Sequence, residues 1–256
     1  MQMRTSIHIA ALLLFIATTV RAADEPKRAV DRIVTEVGNL TIRPIQHATF
    51  VIDVGGVSIY VDPVGGAGAF QGIPAPNLIL ITDIHGDHLN AKTVASVSTD
   101  KTKIVAPAAV HQKLADAEKE KTIVLANGQK TEFSGITIEA IPMYNLTEER
   151  KKFHTKGRGN GYVLTIGGKR LYICGDTEDI PEMRKLKEID VAFVCMNLPY
   201  TMDVEHAASA VLEFKPKIVY PFHYRGAGGK LSDIEKFKKL VSKNKEIEVR
   251  FLNWYP

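Results

Sequence analysis

The run Leu78-Ile79-Leu80-Ile81 is followed, after one threonine, by Asp83-Ile84-His85-Gly86-Asp87-His88. A near-continuous apolar run is the mark of a strand buried on both faces. Two carboxylates and two imidazoles crowded at the end of such a strand are costly to desolvate unless something compensates them. Neutral imidazole nitrogen and ionised carboxylate oxygen are the ligands of zinc, manganese and iron, so the pattern calls for a divalent cation. The alternative is a polar loop that merely solvates the strand end. The strand-to-loop context favours the metal.

The N-terminus reads as a targeting segment. Arg4 precedes an apolar stretch from Ile7 to Val20, and Val20-Arg21-Ala22 fits a small-residue cleavage site. Residues 1–22 are therefore expected to be a secretory signal peptide, too short to serve comfortably as an anchor. Residues 23–34 read as a charged leader, and residues 35–256 as one domain. Cleavage would leave 256 − 22 = 234 residues and remove Arg4 and Arg21, giving a formal charge of 31 − 29 = +2. No basic stripe suggests a nucleic-acid partner, and no later segment suggests a membrane span. The expected product is exported, periplasmic or secreted; its oligomeric state is open. Cys174 and Cys195 each end an apolar strand-like run and are expected as buried free thiols, since neighbouring parallel strands seldom orient two side chains for a bridge.

Along the chain, strands are predicted over 40–42, 48–54, 57–61, 78–82, 103–106, 136–142, 162–166, 169–174, 190–195, 217–221 and 247–251. Hairpin signals stand at Gly55-Gly56, Asn127-Gly128 and Gly167-Gly168. Helices are expected from about Ala91, over 108–119, 180–187, 203–214 and 231–243. Hairpins followed by strand–helix units imply an α/β (α+β) domain in which helices cover mixed sheets. No repeat of twenty to fifty residues is visible.

On these residues the chain resembles the metallo-β-lactamase superfamily of hydrolases. Within it the chain is more similar to the branch with the ascorbate-phosphate lactonases and N-acyl-phosphatidylethanolamine phospholipases D than to true β-lactamases. The resemblance covers about Leu40 to Tyr255 and implies a four-layer αββα sandwich, two mixed β-sheets flanked by helices, with a metal site at one edge. The family motif His-x-His-x-Asp-His reads here Asp83-Ile84-His85-Gly86-Asp87-His88. The resemblance implies His85 as a ligand of a first metal, and Asp87 and His88 as ligands of a second. Asp83 departs from the motif; as a ligand it would make the first site harder and more negative. Gly86 would permit the sharp turn the motif needs.

The resemblance further implies Asp176, in Gly175-Asp176-Thr177, as the bridging carboxylate, and His223, after the strand ending at Pro221, as the last ligand of the second metal. The family's usual histidine after the strand ending near Met143 is replaced by Asn145, and His154, further along the same loop, is the alternative. His47 matches a Gly-His-Ala element of the branch, with Gln46 in place of the glycine, and could polarise substrate or brace a ligand. Asp62 fits a carboxylate supporting a ligating imidazole. Asn145, Tyr200 and Arg225 are candidate substrate contacts, and His154, with Asp87 and His47, is a candidate catalytic residue. His111 and His206 read as surface residues, and Trp254 and Tyr255 as closing the core.

The chemistry implied is hydrolysis of a phosphodiester, lactone or related ester or amide. One or two divalent ions would serve, zinc foremost, with manganese or iron as alternatives, and would lower the pKa of a bound water. Asp87 is the candidate to orient that water and take its proton. The basic loop from Glu149 to Arg158 reads as a lid attracting a small, anionic substrate. The alternatives are a di-iron-type redox protein and a non-catalytic metal- or partner-binding protein with a degenerate first site.

Overall fold

The computed structural model describes residues 29–255; the segment read as a signal peptide and the first residues of the leader lie outside them. The first sheet contains β1 (Asp31–Thr35), β2 (Gly38–Gln46), β3 (Thr49–Val54), β4 (Val57–Val61), β5 (Leu78–Leu80), β6 (Lys103–Ala106) and β7 (Thr122–Val124), in that spatial order. The second contains β8 (Lys130–Phe133), β9 (Ile136–Met143), β10 (Gly159–Ile166), β11 (Lys169–Ile173), β12 (Val191–Val194), β13 (Ile218–Pro221) and β14 (Glu248–Val249), again in sequence order. In both sheets the first four strands pair antiparallel and the rest parallel. The molecule is thus built from two similar halves, a repetition with too long a period and too little shared sequence to be visible in the chain.

Strand alternation explains the layering. On β4 and β5, Ile59, Val61, Leu78 and Leu80 face the second sheet, while Tyr60, Ile79 and Ile81 face outward. The inner layer contains Phe50, whose ring lies 4.5 Å from Phe193 and 5.7 Å from Trp254. Each such buried side chain stabilises the fold by about 1.5–3 kcal/mol. The outer face of the first sheet is covered by α1 (Ala91–Val97) and α2 (Ala108–His111) through Val94, Val110 and Leu114, followed by α3 (Asp116–Glu120). After α4 (Glu148–Lys151) in the β9–β10 connection, α5 (Pro181–Arg184), α6 (Val204–Phe214) and α7 (Ile234–Val241) accompany the parallel strands of the second sheet. No helix among the described residues is long and apolar enough to cross a membrane.

Several expectations change. The leader becomes strand at Asp31, where β1 pairs with β2 along the sheet edge. Asn127-Gly128 is not a hairpin: β7 and β8 belong to different sheets, and the turn carries the chain between them. The helix expected over 108–119 is broken into α2 and α3. The break falls at Ala115, whose extended backbone (φ −71°, ψ 159°) begins α3, just after Leu114 has turned into the core. The short edge strands β1, β7 and β8 lack the apolar alternation by which the others were read. Both cysteines are buried and free, with the Cys195 N–H donating to Cys174 Sγ.

Candidate metal centre

The candidate ligands occupy loops at strand ends in both halves. Asp62 follows β4 as Asp176 follows β11; Asp83 to His88 follow β5, and His223 follows β13. The 83–88 segment coils so that the His88 and Leu89 N–H groups donate to the His85 carbonyl. Gly86 lies in this sharp turn, as expected, although its φ is not positive. Gly175 has a positive φ, +63, and a Cβ there would stand 2.5 Å from Met143 Sδ. That glycine lets β11 end in a turn that projects Asp176.

Asp176 is the hub. Its Oδ1 lies 3.0 Å from His223 Nε2. Its Oδ2 lies 3.4 Å from His88 Nε2 and 3.2 Å from His154 Nε2. The nitrogens of His88 and His223 are 3.1 Å apart. Three groups of side chains have donor atoms close enough to share an ion: His88, Asp176 and His223; Asp83, His85 and His154; and His47, Asp87 and His223.

Hydrogen-bond accounting tests whether an ion fits. Asp62 is buried, accepts from the Thr82 N–H and hydroxyl, both at 2.7 Å, and lies 2.8 Å from His88 Nδ1. A carboxylate only accepts, so His88 donates from Nδ1 and turns Nε2 into the centre. His154 repeats this with a different partner. Asn145 Nδ2 donates to the carbonyls of Arg150 and Tyr200, which leaves His154 Nδ1 to donate to the Tyr200 carbonyl at 3.1 Å. Its Nε2, buried, makes no well-formed hydrogen bond among the described residues. Imidazole lone pairs converging on a carboxylate repel one another unless a cation lies among them, and the donor set suits a divalent ion.

The charges are consistent. Burial opposes ionisation of Asp176, but His223 and His88 outweigh it and hold the carboxyl well below its usual range. Burial likewise opposes a charged His88, yet Asp176 and Asp62 raise it well above an ordinary imidazole. With no cation, that ring takes a second proton; a bound ion replaces the proton. Burial lowers His223 below an ordinary imidazole, against the opposing pull of Asp176. Asp87 is lowered despite burial, chiefly by its bond to His47 and by His88.

Asp83 has a partner the sequence reading did not assign. Arg158 grips it with both ends of the guanidinium, Nε to Oδ1 at 3.1 Å and Nη2 to Oδ2 at 2.9 Å, while His85 Nδ1 approaches Oδ2 at 2.8 Å. Burial opposes its charge, but the His85 bond, His88 and Arg158 lower its pKa. Fully buried, an Asp in a histidine position demands a positive partner. The rest of the basic loop is also committed internally. Arg150 pairs with Glu178, Lys151 with Glu148 and Lys156 with Glu182. Much of the charge expected to attract substrate is therefore met in place, although Lys151 and Lys156 stay more than half exposed.

The other candidates fall as follows. His47 Nε2 lies 3.2 Å from Asp87 Oδ2. Asn145 braces the loop behind His154 rather than facing the ion-binding groups. Tyr200 contributes its carbonyl to that brace, with its ring 5.3 Å from Phe153. Arg225 is exposed and lies over the Tyr255 ring at 4.6 Å. His206 is exposed and bonded to Asp203, whereas His111 is half-buried. Trp254 closes the core, but Tyr255 meets His47, a contact its place near the C-terminus gave no reason to expect.

Residues 41–223 match the family model for the β-lactamase superfamily domain. The chain belongs to the β-lactamase superfamily. A UPF0173 metal-dependent hydrolase of Pyrococcus abyssi is 32% identical over 219 residues, covering 81% of this chain and 95% of the relative. A crystal structure of a protein assigned as a metal-dependent hydrolase, from Parabacteroides distasonis, is 40% identical with a TM-score of 0.79, covering 89% of this chain and all of the other. A metallo hydrolase from Ignicoccus hospitalis shares the fold at 23% identity, TM-score 0.69, covering 83% and 94%. This superfamily member is a metal-dependent hydrolase.

Proposed function

We propose that this hydrolase is exported and cleaves a phosphodiester, lactone or related ester or amide bond in a small substrate. The observation that carries the reading is the set of imidazole nitrogens of His88, His154 and His223 aimed at Asp176, with the far nitrogens of His88 and His154 already engaged. His88, Asp176 and His223 would hold one divalent ion, and Asp83, His85 and His154 a second, with Asp176 reaching both; zinc suits this mixed nitrogen and oxygen set best. Bound there, an ion lowers the pKa of a water and polarises the scissile group.

The chain's own residues do the rest. Asp87, about two-fifths exposed, stands at the open side, where it orients the attacking water and receives its proton. His47, bonded to Asp87, steadies it. Arg225, which pairs with no carboxylate among the described residues, meets negative charge on the substrate.

A screen of zinc- and manganese-loaded protein against bis-p-nitrophenyl phosphate, simple lactones and a chromogenic β-lactam tests the substrate class. Turnover that disappears in His88→Ala supports it, and which of the three is cleaved narrows the class; no turnover of any of them by the metal-loaded protein would sink it. Export rests on the apolar N-terminal segment. N-terminal sequencing of protein recovered from a cell fraction outside the cytoplasm should begin at Ala23, and an intact Met1 would refute cleavage.

A further inference from the structure

We infer that Tyr255 is a positioning residue of the site, whose hydroxyl holds His47 in the tautomer that donates from Nε2 to Asp87. The inference rests on the roles proposed above for Asp87 and His47.

Tyr255 reaches the site because the chain end is fixed from both sides. Trp254 is buried, with its ring 5.7 Å from those of Phe50 and Phe222. Its carbonyl accepts from the His47 N–H at 3.4 Å. The next residue then lies over the corner between β2 and β3. There Tyr255 Oη is 2.7 Å from His47 Nδ1 and accepts from the Arg225 N–H at 3.1 Å.

The direction of the line follows from its ends. The Arg225 amide can only donate, so it supplies a hydrogen to Tyr255 Oη. The Asp87 carboxylate can only accept, so His47 Nε2, 3.2 Å away, must carry a hydrogen. A neutral imidazole with its hydrogen on Nε2 has a bare Nδ1, and the Tyr255 hydroxyl hydrogen points there. The phenol itself is hard to ionise, since burial raises its pKa. It is a fixed donor.

His47 is held at φ +52, a left-handed conformation that costs a non-glycine residue about 1–2 kcal/mol. Such strain persists where surrounding contacts over-determine it. Here those contacts are the Trp254 carbonyl on the backbone, the Tyr255 hydroxyl on Nδ1, and the His223 ring packed edge-on at 3.9 Å. All of them fix the imidazole so that one nitrogen faces Asp87.

Tyr255→Phe removes the hydroxyl while keeping the ring beside Tyr224 and under Arg225. Long-range proton–nitrogen correlation spectra of the His47 ring, in the full chain as purified and after zinc loading, report the tautomer without reference to turnover. The wild type should show hydrogen on Nε2; in the variant a substantial Nδ1-protonated population should appear, with zinc content unchanged. Where a substrate is in hand, kcat should fall about tenfold at constant KM, as for loss of a residue supporting a metal-site group. A wild-type ring protonated on Nδ1 alone overturns the inference whatever the variant does, as does an unchanged tautomer in a folded variant. Absence of turnover in every screen would instead count against the proposed reaction and leave the spectra to decide the role of Tyr255.

Discussion

The two ligand groups that share Asp176 solve the same electrostatic problem differently. The inner group, His88, Asp176 and His223, is buried, and its charge is met by imidazoles alone: Asp176 and Asp62 raise His88, while burial lowers His223. The outer group, Asp83, His85 and His154, has Arg158 built against its carboxylate and is open to solvent at His85, which is 39% exposed. One group needs an ion to be electrically satisfied; the other has satisfied itself in part with a side chain. Exchanging histidine for Asp83 adds a negative charge and Arg158 removes it, so the outer group keeps the charge it would have had with three imidazoles.

The most severe test removes the residue both groups share. Asp176→Ala should abolish tight metal binding and reduce turnover to background, read by metal content and by hydrolysis of whichever ester proves to be a substrate. If one equivalent of zinc remained tightly held, the two groups would not be joined as described.

Arg158→Met comes next. It leaves Asp83 buried without its partner, a change of about 3 kcal/mol, at the low end for a broken buried pair because Arg158 is partly exposed. The melting temperature of the metal-free variant should drop, and saturating zinc or manganese should recover more stability than in the wild type, since an ion then does what the guanidinium did. Equal gains in the two proteins would mean that the outer group is not self-compensated.

The smallest effect should come from Asp62→Asn, which carries no charge and keeps one acceptor: with its oxygen on the Thr82 N–H, its NH2 faces His88 Nδ1 and no longer accepts from it. Zinc affinity of the inner group should weaken about 10- to 100-fold, the usual consequence of altering a ligand's supporting partner. Competition against a chelator measures this, and weakening confined to the outer group would reverse the comparison.

How far the sequence disclosed this follows from the range of the forces involved. The strands with strong alternation, the Gly-Gly hairpins and the 83–88 motif are local patterns, and each was legible. So was Asp62, because a carboxylate directly after a buried strand has few other uses. Arg158 was not, since its partner lies 75 residues away and the basic run around it reads as solvated charge. The preference for His154 over Asn145 rested on side-chain type alone, because the deciding contact is a carbonyl 46 residues from the imidazole. Tyr255 gave no signal at all: penultimate aromatics usually pack, and only the β2–β3 corner shows what this one touches. The seam between β7 and β8 was misread because Asn-Gly turns serve hairpins and crossovers alike.

That seam has a consequence for durability. The β5 loop belongs to one half of the molecule, while Asp176 and His223 belong to the other; the backbone passes between them near Asn127-Gly128 and returns after β14 to the β2–β3 corner. An ion seated between them fastens the halves together like a rivet through two plates. At a hundredfold excess over its dissociation constant such a fastener adds about 2.7 kcal/mol to the folded state. Stripping it would first be felt as the plates working loose, with heat or a protease finding the join.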